Sequence, residues 1–353
     1  DTTEPPKVIA TGPVPESSTL TLYWFLDNAV NLKAVDGTFK VVGIDFRDAF
    51  QDCAGLKSFP MIDMSAVTQC MGTWGNCTGL TSFPLLDTSL VYKFERTWRG
   101  CSGLTSFPLI DTSSGTTFVS TWSKIPSLTR FPPIDTSSAT TFQNCWQINP
   151  NLDSFPLLDT SSVLSLLQAW NGCSSIDNIA ALGETYSFPL IDTSSVTNFK
   201  LAWYGCASLV NFPPIDASSG ESFERPWHNC TNLVSFPTIN VRVGTTFKQA
   251  WKNCSSMTTF PAGFFDNWAP VAPVDNQCLS NTWNNCNLTP ASVSNILDSL
   301  AVAGVAAPTG TGEVDKHITI NWDGTGDPAT ASAAAITTLK ALNWEIYLNG
   351  VLQ

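Results

Sequence analysis

Aspartate recurs at a fixed spacing along much of the chain and is the first candidate for chemistry. The steps are 24 residues, with a single step of 33, and the residues are Asp63, Asp87, Asp111, Asp135, Asp159, Asp192 and Asp216. Carboxylates stacked about 5 Å apart in successive repeats would repel one another. A calcium-binding stripe made of Asp87, Asp111, Asp135 and Asp159 is one interpretation. The alternative is that each carboxylate accepts N–H groups within its own turn, which leaves no cofactor.

Cysteine and histidine offer little further chemistry. A cysteine column follows the same period, with Ile125 and Asn149 in the same slot elsewhere: Cys53, Cys77, Cys101, Cys173, Cys206, Cys230, Cys254 and Cys286. Isoleucine in the slot favours buried free thiols over disulfides, and the odd total of 11 cysteines leaves at least one unpaired. No Cys-x-x-Cys pair supports zinc. Only two histidines, His228 and His317, could serve as general bases, which argues against an enzyme.

Tryptophan and threonine also fall in columns. The tryptophans of the column are Trp74, Trp98, Trp122, Trp146, Trp170, Trp203, Trp227 and Trp251. They could form a sugar-stacking platform, but their spacing from the neighbouring apolar residues favours a buried core ladder. The threonines after the aspartates, such as Thr88 and Thr112, could form an ice-binding hydroxyl lattice. The alternative is that they are ordinary turn residues.

These columns require a repeating scaffold to position them. Phe-Pro begins at residue 59 and recurs every 24 residues to 260, again with one step of 33. Such a period predicts a solenoid. Within the repeat 80–103, Leu80, Phe83 and Leu86 predict a short strand, and Asp-Thr-Ser predicts a capped turn. Apolar steps of three and four after the turn predict a short helix or 3₁₀ segment.

The predicted fold class is therefore an α/β repeat, a solenoid of about ten 24-residue coils with a small α/β cap. We assign residues 1–18 to an N-terminal arm or linker, 19–288 to the solenoid and 289–353 to the cap. The period is interrupted by insertions near 177–186 and 262–278. In the cap, Thr289-Pro290 predicts a helix start, 317–322 and 344–348 predict strands, and 331–343 predicts a helix.

Composition excludes several classes of function. The net charge of −12 argues against nucleic acid, which requires a basic surface. The longest apolar run near the C-terminal end, residues 301–307, is too short to insert into a membrane.

Two strings carry a family resemblance. Cys101-Ser-Gly-Leu-Thr-Ser-Phe, and Asp192-Thr-Ser-Ser-Val-Thr-Asn-Phe followed by Trp203-Tyr-Gly-Cys-Ala-Ser-Leu, resemble the BspA-like leucine-rich repeats of surface proteins. The cap resembles those that end such repeats in bacteriophages and prophages. This chain differs in its Phe-Pro dipeptide, its tryptophan column and its shorter coil. The resemblance implies a leucine-rich-repeat solenoid without catalytic residues, used for surface display, adhesion or virion attachment.

We therefore expect a non-enzymatic, extracellular protein at a virion or cell surface, such as a tail-fibre component that recognises a host glycan or protein receptor. The alternative is a structural subunit that binds neighbouring copies, and either role implies a homo-oligomer or a larger assembly. Residues in insertions need not serve the core, so they are the predicted ligand contacts. These residues are Asp177, Asn178, Glu184, Tyr186, Phe264, Phe265, Asp266 and Trp268. The alternative is that these loops pack against neighbouring coils.

Overall fold

A computed structural model of the chain describes residues 8–9, 30, 32, 35–36, 41, 44–312 and 315–353. The described secondary structure consists of small sheets and few helices. The chain divides into two compact units, Asp1–Val163 and Leu164–Gln353. Apart from residues 8–9, the predicted arm over 1–18 lies outside the described residues. The predicted boundary between residues 288 and 289 stays a prediction.

The first unit contains one regular sheet and a series of single-residue bridges. Strands β1 (Val8–Ile9) and β2 (Val35–Asp36) pair in parallel. Beyond them, residues 24 apart form parallel bridges, which are Asp45 with Gln69, Gln69 with Lys93, Lys93 with Thr117, Thr117 with Thr141, and Arg130 with Ser154. Residues one period apart therefore lie side by side within this unit.

The predicted short strand at Phe-Pro is wrong, because the chain turns there. The N–H of Leu86 donates to the carbonyl oxygen of Pro84 at 3.0 Å, which closes a three-residue γ-turn around Leu85. Proline has no N–H to give to a ladder, so regular pairing cannot run through this position. Equivalent bonds close the same turn in other repeats: Ile110 to Pro108, Ile134 to Pro132, Ile191 to Pro189 and Ile215 to Pro213.

The predicted helix around each tryptophan is also wrong. Arg96 and Gly100, which flank Trp98, have φ values of 58° and 76°, in the left-handed region that a right-handed helix excludes. The N–H groups of Arg96 and Trp98 donate to Val119 and Thr121 of the next repeat, at 2.9 and 3.1 Å. These donors are thus unavailable for bonds within a helix. The apolar steps of three and four arise instead from successive tight turns.

The second unit holds further bridges and all of the described helices. Its elements are α1 (Asn178–Leu182), β3 (Trp283–Leu288), α2 (Pro290–Ala303), β4 (His317–Trp322), α3 (Pro328–Ala331), α4 (Ala333–Ala341), β5 (Glu345–Leu348) and β6 (Val351–Leu352). The four strands form one mixed sheet in the order β3-β4-β5-β6, with the first two pairings parallel and the last antiparallel.

The helix and strands predicted for residues 289–353 are confirmed. The Thr289 hydroxyl accepts the N–H of Ser292 and so caps α2, whose first residue is Pro290. Val293 and Leu297 of α2 are buried. The bounds of β4 match the predicted strand, and those of β5 and α4 fall within one or two residues of theirs.

Candidate binding surface

The tryptophan column forms the centre of the core. All eight predicted indole rings are fully buried, in agreement with their predicted place in a core ladder. Trp98 stacks between Trp74 and Trp122 with ring centroids 5.8 Å away on both sides. Phe107 of the next Phe-Pro dipeptide meets the Trp98 ring edge-to-face at 4.7 Å. These rings are therefore not a platform for sugars.

The cysteine column supports the backbone of the tryptophan column. The Cys101 thiol donates to the carbonyl oxygen of Trp74 at 3.0 Å, and the same contact recurs at Cys230 with Trp203 at 3.2 Å. Asn149 replaces the thiol with an amide that donates to the Trp122 carbonyl at 2.9 Å. Burial raises the pKa of the Cys101 thiol to about 12. These thiols are structural and remain protonated at neutral pH.

The aspartates bind within their own turns. In the repeat of Asp87, the N–H and hydroxyl of Ser89 both donate to Asp87 Oδ1, at 3.1 and 2.7 Å. Asp111, Asp135 and Asp159 make the same pair of bonds to the serine two residues later. Hydrogen bonds from Ser113 lower the pKa of Asp111 below its usual value, and the bond from the Ser113 N–H has a larger effect than the bond from its hydroxyl. This geometry supports the turn alternative to calcium. In the described part of the chain, no group of three acidic, histidine or cysteine side chains is placed to hold a metal ion.

The turn role predicts different results for two substitutions of Asp111. Asp111→Ala removes an acceptor of two hydrogen bonds and is expected to cost about 1 kcal/mol of unfolding free energy. Asp111→Asn is expected to cost less than about 0.5 kcal/mol, because Asn240 in the same column already accepts the N–H of Arg242 at 3.1 Å. Urea unfolding with and without calcium measures both variants. An equal loss in both variants, or stabilisation by calcium, would assign the role to the charge instead.

The threonine column faces inward. Thr88 and Thr112 are buried, and their hydroxyls donate to the carbonyl oxygens of Asp111 and Asp135 in the following repeats. A hydroxyl that is buried and bonded in this way is not available to organise ice. The lattice alternative is therefore contradicted.

The first insertion forms α1, capped by the Asp177 side chain, which accepts the N–H of Ile179 at 3.2 Å. Asn178 is buried, contrary to its prediction as a ligand contact. Glu184 is exposed and Tyr186 is half-buried. The Asp177 side chain thus serves the insertion itself, because a short helix must satisfy its own first N–H groups.

The second insertion is an extension of the core. Phe264, Phe265 and Trp268 are buried, and Trp268 Nε1 donates to the Gly244 carbonyl oxygen at 2.7 Å. This burial agrees with the alternative that the loop packs against neighbouring coils, and a ligand contact by these residues stays a prediction. The three rings cover neighbouring aromatic side chains where the period is broken, and of the predicted contacts in this insertion only Asp266 is exposed.

His228 occupies a buried position beside basic side chains. Its ring lies 4.9 Å from that of Tyr204, and its Nε2 is 3.4 Å from the side-chain nitrogen of Asn253. Burial first, and then the charges of Lys252 and Arg225, lower the pKa of His228 to about 4. The ring is therefore neutral at physiological pH.

The depressed pKa of His228 predicts the direction of its acid response. Because the folded-state value lies below the unfolded value of 6.5, the stability from the neutral ring is present above pH 6.5 and is lost as the pH falls towards 4. The ring's NMR titration midpoint is expected near 4. Glutamine occurs at the equivalent position of another repeat, Gln147. The substitution His228→Gln is therefore expected to reduce the loss of unfolding free energy between pH 6.5 and 4. A midpoint above 6 would contradict this assignment.

The exposed counterpart of these buried columns is a row of apolar residues that directly follow the Phe-Pro dipeptides, and Leu85, Leu109 and Pro133 among them lie at the tips of γ-turns. In the first unit, Met61, Leu85, Leu109, Pro133 and Leu157 follow successive Phe-Pro dipeptides and are exposed, and we name them the Pro-Leu stripe. Leu85 and Leu157 expose 57% and 67% of their surface. The phenylalanines beneath them stack at 5.9 to 6.4 Å from one repeat to the next. The stripe is thus continuous across neighbouring repeats.

Sequence reasoning missed this surface. A leucine that lies between a phenylalanine and another leucine in the sequence resembles a core residue. The stripe residues therefore could not be distinguished from the buried residues beside them. The signal was the variety within its column, where Pro133, Pro214, Thr238 and Ala262 alternate with leucine, while the next column holds isoleucine or leucine from residue 62 to residue 239. Variation of this kind is typical of a surface position.

Comparisons with protein-family models, with characterised proteins and with solved structures return no match for this chain. Among the described residues, no helix is long and apolar enough to span a bilayer.

Proposed function

We propose that this chain is a non-enzymatic, surface-exposed repeat protein that recognises a partner through the Pro-Leu stripe, on a leucine-rich-repeat-like solenoid of about ten coils. Bridges and ring stacks at 24-residue steps within each unit support the solenoid. The place of action that we propose is a virion or cell surface, where the chain serves adhesion or receptor recognition.

The observation that carries the proposal is the exposure of the stripe. Monomeric proteins rarely expose a contiguous row of large apolar side chains, and such rows mark interaction sites. Here the row repeats with the period of the core, although the fold needs only the buried columns. Threonine at position 238 indicates that a polar residue is compatible with this position of the repeat.

The non-enzymatic assignment is supported by the use of the reactive side chains. Described thiols such as Cys101 lie in the core, and described column aspartates such as Asp87 are fixed in turns. His228 is buried, and His317 pairs with Glu345 at 3.1 Å. Each of these groups has a structural contact that accounts for it.

A retention assay tests the proposal. Labelled protein is applied to virions or cells of its source, and the variant Leu85→Thr/Leu109→Thr/Leu157→Thr is compared with the wild type. We expect at least a tenfold loss of retention, since each exposed leucine that a partner covers contributes about 1 kcal/mol or more. Unfolding curves establish that the variant is folded.

Two outcomes would contradict the proposal. Equal retention of the folded variant would remove the stripe from recognition, and antibody labelling found only inside cells would remove the surface location. Concentration-dependent oligomers of the purified protein that the variant abolishes would instead support the structural-subunit alternative.

A further inference from the structure

A row of negative charges borders the Pro-Leu stripe on the side that follows it along the chain in each repeat. Between each phenylalanine and the serine that ends its turn, the five segments 59–65, 83–89, 107–113, 131–137 and 155–161 contain one aspartate each and no lysine or arginine. These aspartates, Asp63, Asp87, Asp111, Asp135 and Asp159, are all exposed, two residues after a stripe residue. Apolar and acidic side chains thus form one composite face.

The aspartates of this row can accept hydrogen bonds from a partner. At Asp87 and Asp111, both serine donors bind Oδ1, so the second carboxylate oxygen can accept from outside the turn. Hydrogen bonds from Ser161 lower the pKa of Asp159 in the same way as at Asp111. Asp111 and Asp159 therefore stay ionised at neutral pH, and neighbouring carboxylates of the row repel one another.

This charge pattern excludes several occupants. A second copy that presented the same face would place aspartate against aspartate, which is a repulsive arrangement. Nucleic acids and anionic membranes carry the same sign of charge. An uncharged glycan would leave the carboxylates uncompensated and the leucines poorly covered.

We propose that the Pro-Leu stripe of the first unit binds a cationic amphipathic segment of a partner protein, whose aliphatic side chains cover the leucines while its lysines or arginines pair with the aspartates. This inference rests on the proposed function and adds the chemical class of the partner. Leu85, Leu109 and Leu157 supply the apolar contacts, and Asp87, Asp111 and Asp135 supply the charge.

A synthetic amphipathic Leu–Lys peptide is the probe, measured by fluorescence anisotropy against the full chain. A Leu–Glu peptide of the same pattern and a Ser–Lys peptide are the controls for charge and for apolar contact. The apolar variant is Leu85→Thr/Leu109→Thr/Leu157→Thr, and the charge variant is Asp87→Asn/Asp111→Asn/Asp135→Asn. Both use residues that this chain itself carries in those columns, Thr238 and Asn240.

A matched variant controls for net charge. Glu184→Gln/Asp266→Asn/Asp298→Asn removes three exposed carboxylates outside the stripe, and two of them belong to the insertions predicted as ligand contacts. We expect the apolar and charge variants to weaken Leu–Lys binding by about tenfold each, and the matched variant to stay within about twofold. Salt is expected to weaken the wild-type interaction.

The proposal is overturned if the Leu–Lys peptide fails to bind, if Ser–Lys binds equally well, or if the matched variant loses as much affinity as the charge variant. Binding on a glycan array that the apolar variant abolishes, without peptide binding, would assign the stripe to a glycan. That result would refute the cationic partner and leave the proposed recognition function intact. If the peptide binds but the apolar variant is retained on virions or cells as well as the wild type, the proposed function is refuted instead.

Discussion

The folded protein is expected to unfold cooperatively between about pH 9.5 and 10.5. Nine thiols have raised pKa values, and for all of them burial is the leading cause: Cys70, Cys77, Cys101, Cys145, Cys206, Cys230, Cys254, Cys278 and Cys286. Below the ordinary thiol value of 9.0 both states hold these protons. Above it the unfolded chain releases protons that the folded chain keeps, so stability falls as the pH rises.

The size of this effect follows from the number of thiols. Each contributes a slope of about 1.4 kcal/mol per pH unit once the unfolded state is ionised. Nine together contribute slightly more than about 12 kcal/mol per pH unit, which is comparable with the whole stability of a typical domain, about 5–15 kcal/mol. Far-ultraviolet circular dichroism against pH, in the presence of a reductant, measures the midpoint.

A paired substitution separates the thiols from other groups that ionise at alkaline pH. Cys77→Ile/Cys101→Ile follows the natural Ile125 in the same slot and is expected to make the alkaline limb shallower by about 3 kcal/mol per pH unit. Two results would contradict a core of buried protonated thiols. One is an unfolding midpoint of the wild type above about pH 11.5, and the other is the same alkaline pH dependence of stability in the wild type and the double variant.

Truncation of the central tryptophan ladder is expected to be the most destabilising single substitution. Trp98→Ala removes stacking on Trp74 and Trp122 and the edge contact with Phe107, and it opens a cavity in a fully buried site. The expected loss is about 3–5 kcal/mol of unfolding free energy. Urea unfolding followed by circular dichroism measures it.

Two further variants define the cause of that loss. Trp98→Phe follows Phe50, which occupies the same column, and is expected to cost only about 1–2 kcal/mol. Trp322→Ala, at a half-buried tryptophan of β4 whose Nε1 binds the Thr325 carbonyl oxygen at 3.2 Å, is expected to cost about 1 kcal/mol. If Trp98→Ala costs no more than Trp322→Ala, the ladder is not the centre of the core.

Periodicity predicted which columns are buried but not the path of the backbone between them. The side chains of Trp98 and Cys101 lie in the core because identical positions in every repeat must satisfy the same neighbours. Their spacing resembles a helical face, yet Arg96 and Gly100 adopt positive φ. Glycine or asparagine at the same columns elsewhere, as at Gly72 and Asn76, was the available signal for left-handed turns.

The binding surface was predicted less well than the core. Aromatic residues in an insertion suggested ligand contacts, but Phe265 and Trp268 are needed to close the core where the period breaks. Conversely, Leu85 and Leu109 resembled core residues and are exposed, because the γ-turn after proline places them outward. Apolar character alone does not distinguish a core position from a contact surface.

Hydroxyl-radical footprinting of the protein bound to the virion or cell surface of its source measures directly whether a partner covers the Pro-Leu stripe. Oxidation of Leu85, Leu109 and Leu157 is expected to fall several-fold relative to the isolated protein. Leu90 and Leu164, which are similarly exposed outside the stripe at 53% and 55%, should react equally in both states. Unchanged oxidation of the stripe, or protection confined to the insertions at 177–186 and 262–278, would contradict recognition through the Pro-Leu stripe.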